Sequence, residues 1–285
     1  MPNPREIKRR IGSIRNTQKI TKAMEMVSSV KLRKARQLIL NARPYAEKLG
    51  EMAAHLRANG AGSLSPLLKE RQVKKIGLVL VTSDKGLCGG FNSNVIKKAT
   101  EFIRENSDKE IQLTLVGKKV TEAFKRKTIP VTDKYTDVFF KPAYARAVAI
   151  SEKLLADFLN NSIDEVRIIY NEFKSSVSQK IKLETILPVP ELENSREKPK
   201  GSCIFEPEGK ECLDILLRKH FVFQIWRIIL ESYAGEQGAR MASMNGATKN
   251  AGELIAKFTL FYNKARQASI TNELLEVVSG AEALR

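Results

Sequence analysis

At 285 residues and 42% hydrophobic content the chain can bury the core of one large domain or two ordinary ones, so a globular protein is the default. Lys and Arg outnumber Asp and Glu by 49 to 32, a net charge of +17, which points to nucleic acid, an anionic membrane or an acidic protein surface as partner. No apolar run reaches the roughly 18 residues of a membrane span, and "MPNPREIKRR" lacks the apolar core of a secretory signal, so the chain is expected on the cytoplasmic side.

The first segment is basic: residues 1–43 hold twelve Lys or Arg against Glu6 and Glu25. It also reads as helix, with apolar or small residues at Ile7, Ile11, Ile14, Thr17, Ile20, Met24 and Val27, then Ala35, Leu38, Ala42, Tyr45, Leu49, Met52 and Leu56. The stride alternates three and four, close to the 3.5 period of a coiled coil. Lys31 interrupts it once, and Pro44 should bend or loosen the helix.

Next, "VLVTSDKGLCGGFNSN" (79–94) delivers a β-branched run into Gly86, Gly89 and Gly90 ahead of a helix-like segment. A phosphate-binding loop needs G-x-x-x-x-G-K-[ST] or G-x-G-x-x-G. Neither spacing is present, the nearby Lys85 precedes the glycines, and Asp84 would set negative charge beside a phosphate. The expected role is a sharp strand-to-helix turn. Three β-rich runs, "KKIGLVLVTS", "IQLTLVGKKV" and "VRIIYNEFKS", alternate with helical stretches, and the alternating "VSQKIKLETILPV" follows. That spacing predicts an open, mainly parallel α/β sheet. "PELENSREKPKGSC" reads as a loop.

From about 210 to the end no proline intervenes, and a three-four stride runs through Leu213, Leu216, His220, Phe223, Trp226, Leu230, Tyr233, Gln237, Met241, Met244, Ala247, Ala251, Leu254, Phe258, Phe261, Ala265 and Ala268. A helix of that extent is on the order of 110 Å long. Pairing it antiparallel with the first helix buries both stripes, and leaves "ASITNELLEVVSGAEALR" with an apolar stripe at Leu274, Leu275, Val278 and Ala281 that needs a socket in another protein. Cys88, Cys203 and Cys212 read as ordinary reduced thiols, and His55 and His220 as structural.

"NTQKITKAMEMVSSVKLRKA" (16–35), "RPYAE" (43–47), "SDKGLCGGFN" (83–92) and "YNKARQASITNELLEVVSGAEAL" (262–284) closely resemble the gamma-subunit family of F-type ATP synthases. The expected fold class is α/β: a long antiparallel coiled coil of the N- and C-terminal helices, residues 1–58 and 209–285, plus a central Rossmann-like α/β domain over 72–195. The resemblance implies a central rotor stalk that carries torque from an ion-driven c ring to catalytic beta subunits. It is expected to be non-catalytic and to hold no cofactor, metal or small-molecule substrate. Implied partners are a ring of three alpha and three beta subunits around one such chain (3:3:1), an epsilon subunit and the membrane c-subunit ring, with no nucleic acid among them. The implied location is the cytoplasmic side of a bacterial plasma membrane, bound peripherally.

By correspondence with the family motifs, Arg266 and Gln267 form a catch for a beta-subunit loop, Met24 with Arg240 forms a coupling contact near the beta lever, and Phe205 and Glu206 touch the c ring. Solvated helix charge or plain seam packing is the alternative at each position. Two other functions compete: nucleic-acid binding by the basic helix, opposed by its apolar seam and the lack of a stacking motif, and a nucleotide-dependent enzyme on the glycine loop, opposed by the missing phosphate motif. Chloroplast relatives carry an inserted regulatory dithiol that this chain lacks, and Cys203 and Cys212 are read as unrelated to it.

Overall fold

The computed structural model describes residues 4–58, 65–127, 129–139, 144–175, 178–190 and 209–283. Two long helices, α1 (Pro4–Ala58) and α5 (Gly209–Ala283), enclose in sequence the elements β1 (Lys75–Val81), α2 (Phe91–Glu105), β2 (Glu110–Val116), α3 (Lys118–Phe124), β3 (Val131–Tyr135), α4 (Tyr144–Leu159), β4 (Glu165–Phe173) and β5 (Gln179–Leu187). Two compact units result: residues 1–28 with 241–285, and residues 29–240.

The first unit is a two-helix coil. Hydrogen bonds between the helices pair Thr21 with Thr248 and Glu25 with Asn245, so numbers rise on one helix as they fall on the other and the pair is antiparallel. A row of buried or half-buried positions runs along α1 through Ile7, Ile11, Ile14, Gln18, Thr21, Glu25 and Ser28, with Met24 half-buried beside it, and another along α5 through Met244, Thr248, Ala251, Ile255, Phe258, Tyr262, Ala265 and Ser269. Both rows alternate steps of four and three, the stride of a coiled-coil seam. The expected seam was one residue out of phase over part of its course. Thr17, Ile20, Val27, Leu254 and Phe261 are exposed; on α1 the polar neighbours Gln18, Thr21 and Ser28 take the seam, and on α5 Thr248, Ile255 and Tyr262 stand where Ala247, Leu254 and Phe261 were expected. Nor is there an interruption at Lys31, because the row passes from Ser28 to Leu32 and Ala35, and α1 continues through Pro44 to Ala58.

The second unit is built on a five-stranded sheet ordered β3-β2-β1-β4-β5, parallel except for β5. The sequence "KIGLVLV" can occupy the middle because it is apolar on both faces: all six residues from Ile76 onwards are buried. Ile76, Leu78 and Leu80 of β1 and Ile111, Leu113 and Leu115 of β2 point to one face, where Val95, Ala99 and Phe102 of α2 and Val120 and Phe124 of α3 close the core. Two elements differ from expectation. "VTDKY" forms edge strand β3, which alternates half-buried and exposed positions, too short and polar to read as a strand. The run "IQLTLVGKKV" is strand only to Val116. Gly117, at φ +105, turns the chain into α3, and its N–H donates to the Tyr135 carbonyl.

A Cβ at Gly117 would collide with the Thr82 carbonyl, in a backbone region that side chains rarely enter. Gly117→Ala should therefore lower stability by about 3 kcal/mol or more, read as a fall in the urea midpoint of the isolated chain.

Candidate functional site

The glycine loop leaves β1 at Val81 and enters α2 at Phe91. It is laced to itself: the Ser83 amide donates to Asn92 Oδ1 (2.9 Å), Ser83 Oγ donates to the Lys85 carbonyl (2.6 Å), and Asn92 Nδ2 donates to Cys88 Sγ (3.3 Å). Leu87 and Gly89 take left-handed backbone, at φ +60 and +56, which reverses the chain within a few residues. Asp84 is the hub between loops. Its Oδ1 accepts the amides of Lys118 (3.1 Å) and Asp137 (3.0 Å) and its Oδ2 that of Phe139 (3.2 Å), tying together the turns after β1, β2 and β3.

Open α/β sheets take ligands in the crevice beyond the carboxyl ends of their strands. Here α5 covers it. Arg240 donates to the Gly86 carbonyl through Nη2 (3.1 Å) and Nε (3.3 Å), to the Lys85 carbonyl (3.4 Å), and to Glu236 Oε1 (2.6 Å). Both charged residues are buried, Arg240 at 7% exposure and Glu236 at 3%. Gly235 lets the helix come close: a Cβ there would stand 3.3 Å from the Phe91 ring and 3.4 Å from Gln179. A phosphate loop presents amides to an anion. At Lys85 and Gly86 this loop presents carbonyls to a guanidinium, so the geometry is that of a strand-to-helix corner docked on α5.

A second cluster, of half-buried charges around the buried Tyr170, lies where α5 crosses β4 and β5. Arg227 contacts Glu184 (3.3 Å), Glu231 (3.1 Å) and the Tyr170 hydroxyl (3.4 Å), and Tyr170 donates to Glu184 Oε2 (3.0 Å). Burial pushes the Tyr170 hydroxyl up. It also pushes the Glu184 carboxyl up, but Arg227 and Lys182 together hold that group below its ordinary value. Two turns earlier on α5 His220 is buried beside Gln224 (3.3 Å), and burial, reinforced by the Arg227 charge, lowers its pKa to about 4. It is a neutral core residue at neutral pH. The side chain of His55 lies outside the described residues.

In the coil unit, Arg266 and Gln267 stand exposed on α5, next in sequence to Ala265 and Ala268 of a groove of about 540 Å3 that Ile7, Phe258 and Phe261 also line. Met24 is half-buried on α1. Arg240 belongs to the other unit, in the clasp described above, and Phe205, Glu206 and Cys203 lie outside the described residues. From 271 to 281 α5 is exposed on every side, with Leu274, Leu275, Val277 and Val278 bare. Sequence reading did not single out Glu236, Arg227 or Glu231. The signal was present as opposite charges four apart on an otherwise apolar stretch of α5, a spacing that ordinarily means a solvated helix face.

A coil of terminal helices, a sheet whose strand-end crevice is covered by the chain's own helix, and a bare apolar helix end are surfaces suited to contact with partners. The family model described as ATP synthase matches residues 3–284. The chain is 45% identical over 287 residues to the ATP synthase gamma chain of Geobacter metallireducens and 45% identical over 289 residues to that of Anaeromyxobacter dehalogenans, with each protein covered completely. Among solved structures, a chain of the Tetrahymena thermophila mitochondrial ATP synthase central stalk and c-ring matches with TM-score 0.62 and 25% identity, over 80% of this chain and 99% of that one. A chain of the Euglena gracilis mitochondrial ATP synthase shares the fold, with TM-score 0.68 at 19% identity over 99% and 94% of the two chains. The chain belongs to the ATP synthase gamma-chain family.

Two tests follow from the buried charges. Arg240→Leu leaves Glu236 buried and unpaired, and should cost about 3–5 kcal/mol, whereas the double variant E236L/R240L should recover most of it; urea midpoints of the three proteins decide this. His220 has a folded pKa of about 4 against about 6.5 unfolded, so between those values the unfolded chain binds the extra proton. Its contribution is intact above pH 6.5 and is lost as pH falls towards 4, amounting to about 2 kcal/mol at pH 5. Stability measured from pH 7.5 to 4.5 should fall less steeply in H220L than in the native chain.

Proposed function

We propose that the chain is the rotor shaft of a bacterial F-type ATP synthase, turning with a membrane c ring at one end and inside a ring of three alpha and three beta subunits at the other. The observation that carries this reading is the full-length match to bacterial gamma chains, joined to the fold of a central stalk. Catalysis then belongs to the ring and not to this chain. An epsilon subunit completes the stalk, and the chain is peripheral on the cytoplasmic face. Consistent with a peripheral role, no helix among the described residues is long and apolar enough to cross a membrane.

The mechanism is differential contact. One shaft inside three chemically identical beta subunits can hold them in different states only by offering each a different face, and the free energy it transmits is the difference in contact between those states. The bare stretch from 271 to 281 supplies an apolar end for an enclosing sleeve. Arg266 and Gln267 are exposed donors beside it, suited to catching a loop of one beta subunit at one rotational angle. Met24 is assigned to coupling with the beta lever together with Arg240, which is buried against Glu236 and the glycine-loop carbonyls and so acts there by holding α5 in place, and Phe205 and Glu206 are assigned to the c ring. The basic first helix meets acidic ring surfaces through charges that stay hydrated and so exchange readily as it turns.

Mixing the chain with alpha and beta subunits should give a 3:3:1 complex that hydrolyses ATP, seen by native mass spectrometry and a coupled assay. R266A/Q267A should assemble equally well and turn over about tenfold more slowly, the size expected for losing one to two hydrogen bonds made at the rate-limiting angle. Failure to assemble with either ring subunit would overturn the assignment.

A further inference from the structure

Helix α1 carries two rows that compete for the seam over 17–28. One is apolar and exposed: Ile20 is 60% exposed and Val27 53%, with Met26 and Ala23 beside them. The other is polar and faces α5: Thr21 is 8% exposed and Ser28 2%, with Gln18 and Glu25 half-buried. The rows are one residue apart, a rotation of about 100° on the helix axis. Hydrophobic burial alone favours the opposite choice, since Ile20 and Val27 would each gain by turning inward.

Opposing that gain is a set of side-chain hydrogen bonds confined to one stretch of the coil. The Thr21 and Thr248 hydroxyls lie 2.8 Å apart, Gln18 Nε2 donates to the Thr248 carbonyl (3.4 Å), and Asn245 Nδ2 donates to Glu25 Oε1 (3.1 Å). Gly252 makes the notch for Gln18: a Cβ there would stand 3.2 Å from Gln18 Nε2. Gln18, Thr21 and Glu25 of the α1 row are each matched to a particular group on α5. Rolled by one residue, Gln18, Thr21 and Glu25 leave those partners.

We propose that this polar layer is a rotational lock, with Asn245, Thr248 and Gly252 setting the angle of α1 about its own axis and so holding Ile20 and Val27 on the outer surface of the coil. The lock is a property of the coil itself and does not depend on the rotary role.

The test leaves the α1 row intact and removes the side-chain partners of Thr21 and Glu25, while the Thr248 carbonyl that Gln18 meets stays in place. In the full chain, with Cys203 and Cys212 changed to Ser, a single reporter cysteine is introduced by V27C or, separately, by S28C, and maleimide labelling rates are compared with and without N245L/T248V. Cys88 is buried and supplies the background rate, measured without a reporter. With the lock removed, labelling at position 27 should slow and that at position 28 accelerate, each by about threefold or more. Adding Q18L/T21V, which makes the facing rows apolar together, should restore the original rates. Unchanged rates, or changes in the same direction at both positions, would overturn the proposal, the latter by showing that the helix frays and does not roll.

Discussion

On α1 the row facing inward returns at alternating steps of four and three residues from Ile7 to Ala53, and on α5 the same stride runs from Met244 to Ser269. Everything else about the two helices is subordinate to keeping that stride. A helix of 3.6 residues per turn can hold one face towards a neighbour over this length only if its contact positions recur at 3.5. Residue chemistry then adapts to position: Ile, Leu and Ala along most of the row, and Gln18, Thr21 and Glu25 where partners across the seam satisfy them. A shaft needs stiffness along its length more than maximal burial at each step, and an unbroken stride supplies it.

The same economy marks the sheet unit. Crossover connections place the loops after β1, β2 and β3 at one end of the sheet, where a related architecture would hold a nucleotide. This chain lines the position with Asp84, which collects three amides, and with Arg240 and Glu236, which close over the loop carbonyls. Buried pairs of this kind are weak contributors to net stability but severe when halved. Their value is in fixing one arrangement of α5 on the loop, so that force applied to the helix is passed to a rigid body. The Arg227 cluster repeats the device three turns earlier on the same helix, against β4 and β5.

Much of this was legible in the residues. The terminal helices declared themselves by period, and β1, β2, β4 and β5 by their β-branched runs. What escaped had physical causes. Edge strand β3 is half-solvated, so "VTDKY" carries no apolar alternation, and Gly117 looks like one more residue of a strand until its positive φ is known. The seam phase was missed because Ile20 and Val27 are the more hydrophobic choice, and only the matching of Thr21 to Thr248, 227 residues away, decides against them. The buried charges escaped for a similar reason, since Glu236 and Arg240 at i and i+4 have the spacing of an exposed pair and their burial is a tertiary fact. Of the contacts implied by the family motifs, Arg266 and Gln267 are placed where a partner can reach them.

That α1 and α5 rotate as a single body is the claim on which the rotary reading stands, and a crosslink measures it most directly. With Thr21 and Thr248 both replaced by Cys, whose native hydroxyls lie 2.8 Å apart, a disulfide should close readily in the assembled ring complex. The crosslinked complex should keep the ATP hydrolysis rate of its reduced form, because the bond joins two parts that never move past one another. Failure of the bond to form, or arrest of hydrolysis when it forms and recovery on reduction, would show that the helices separate or slide during the cycle and would contradict the account.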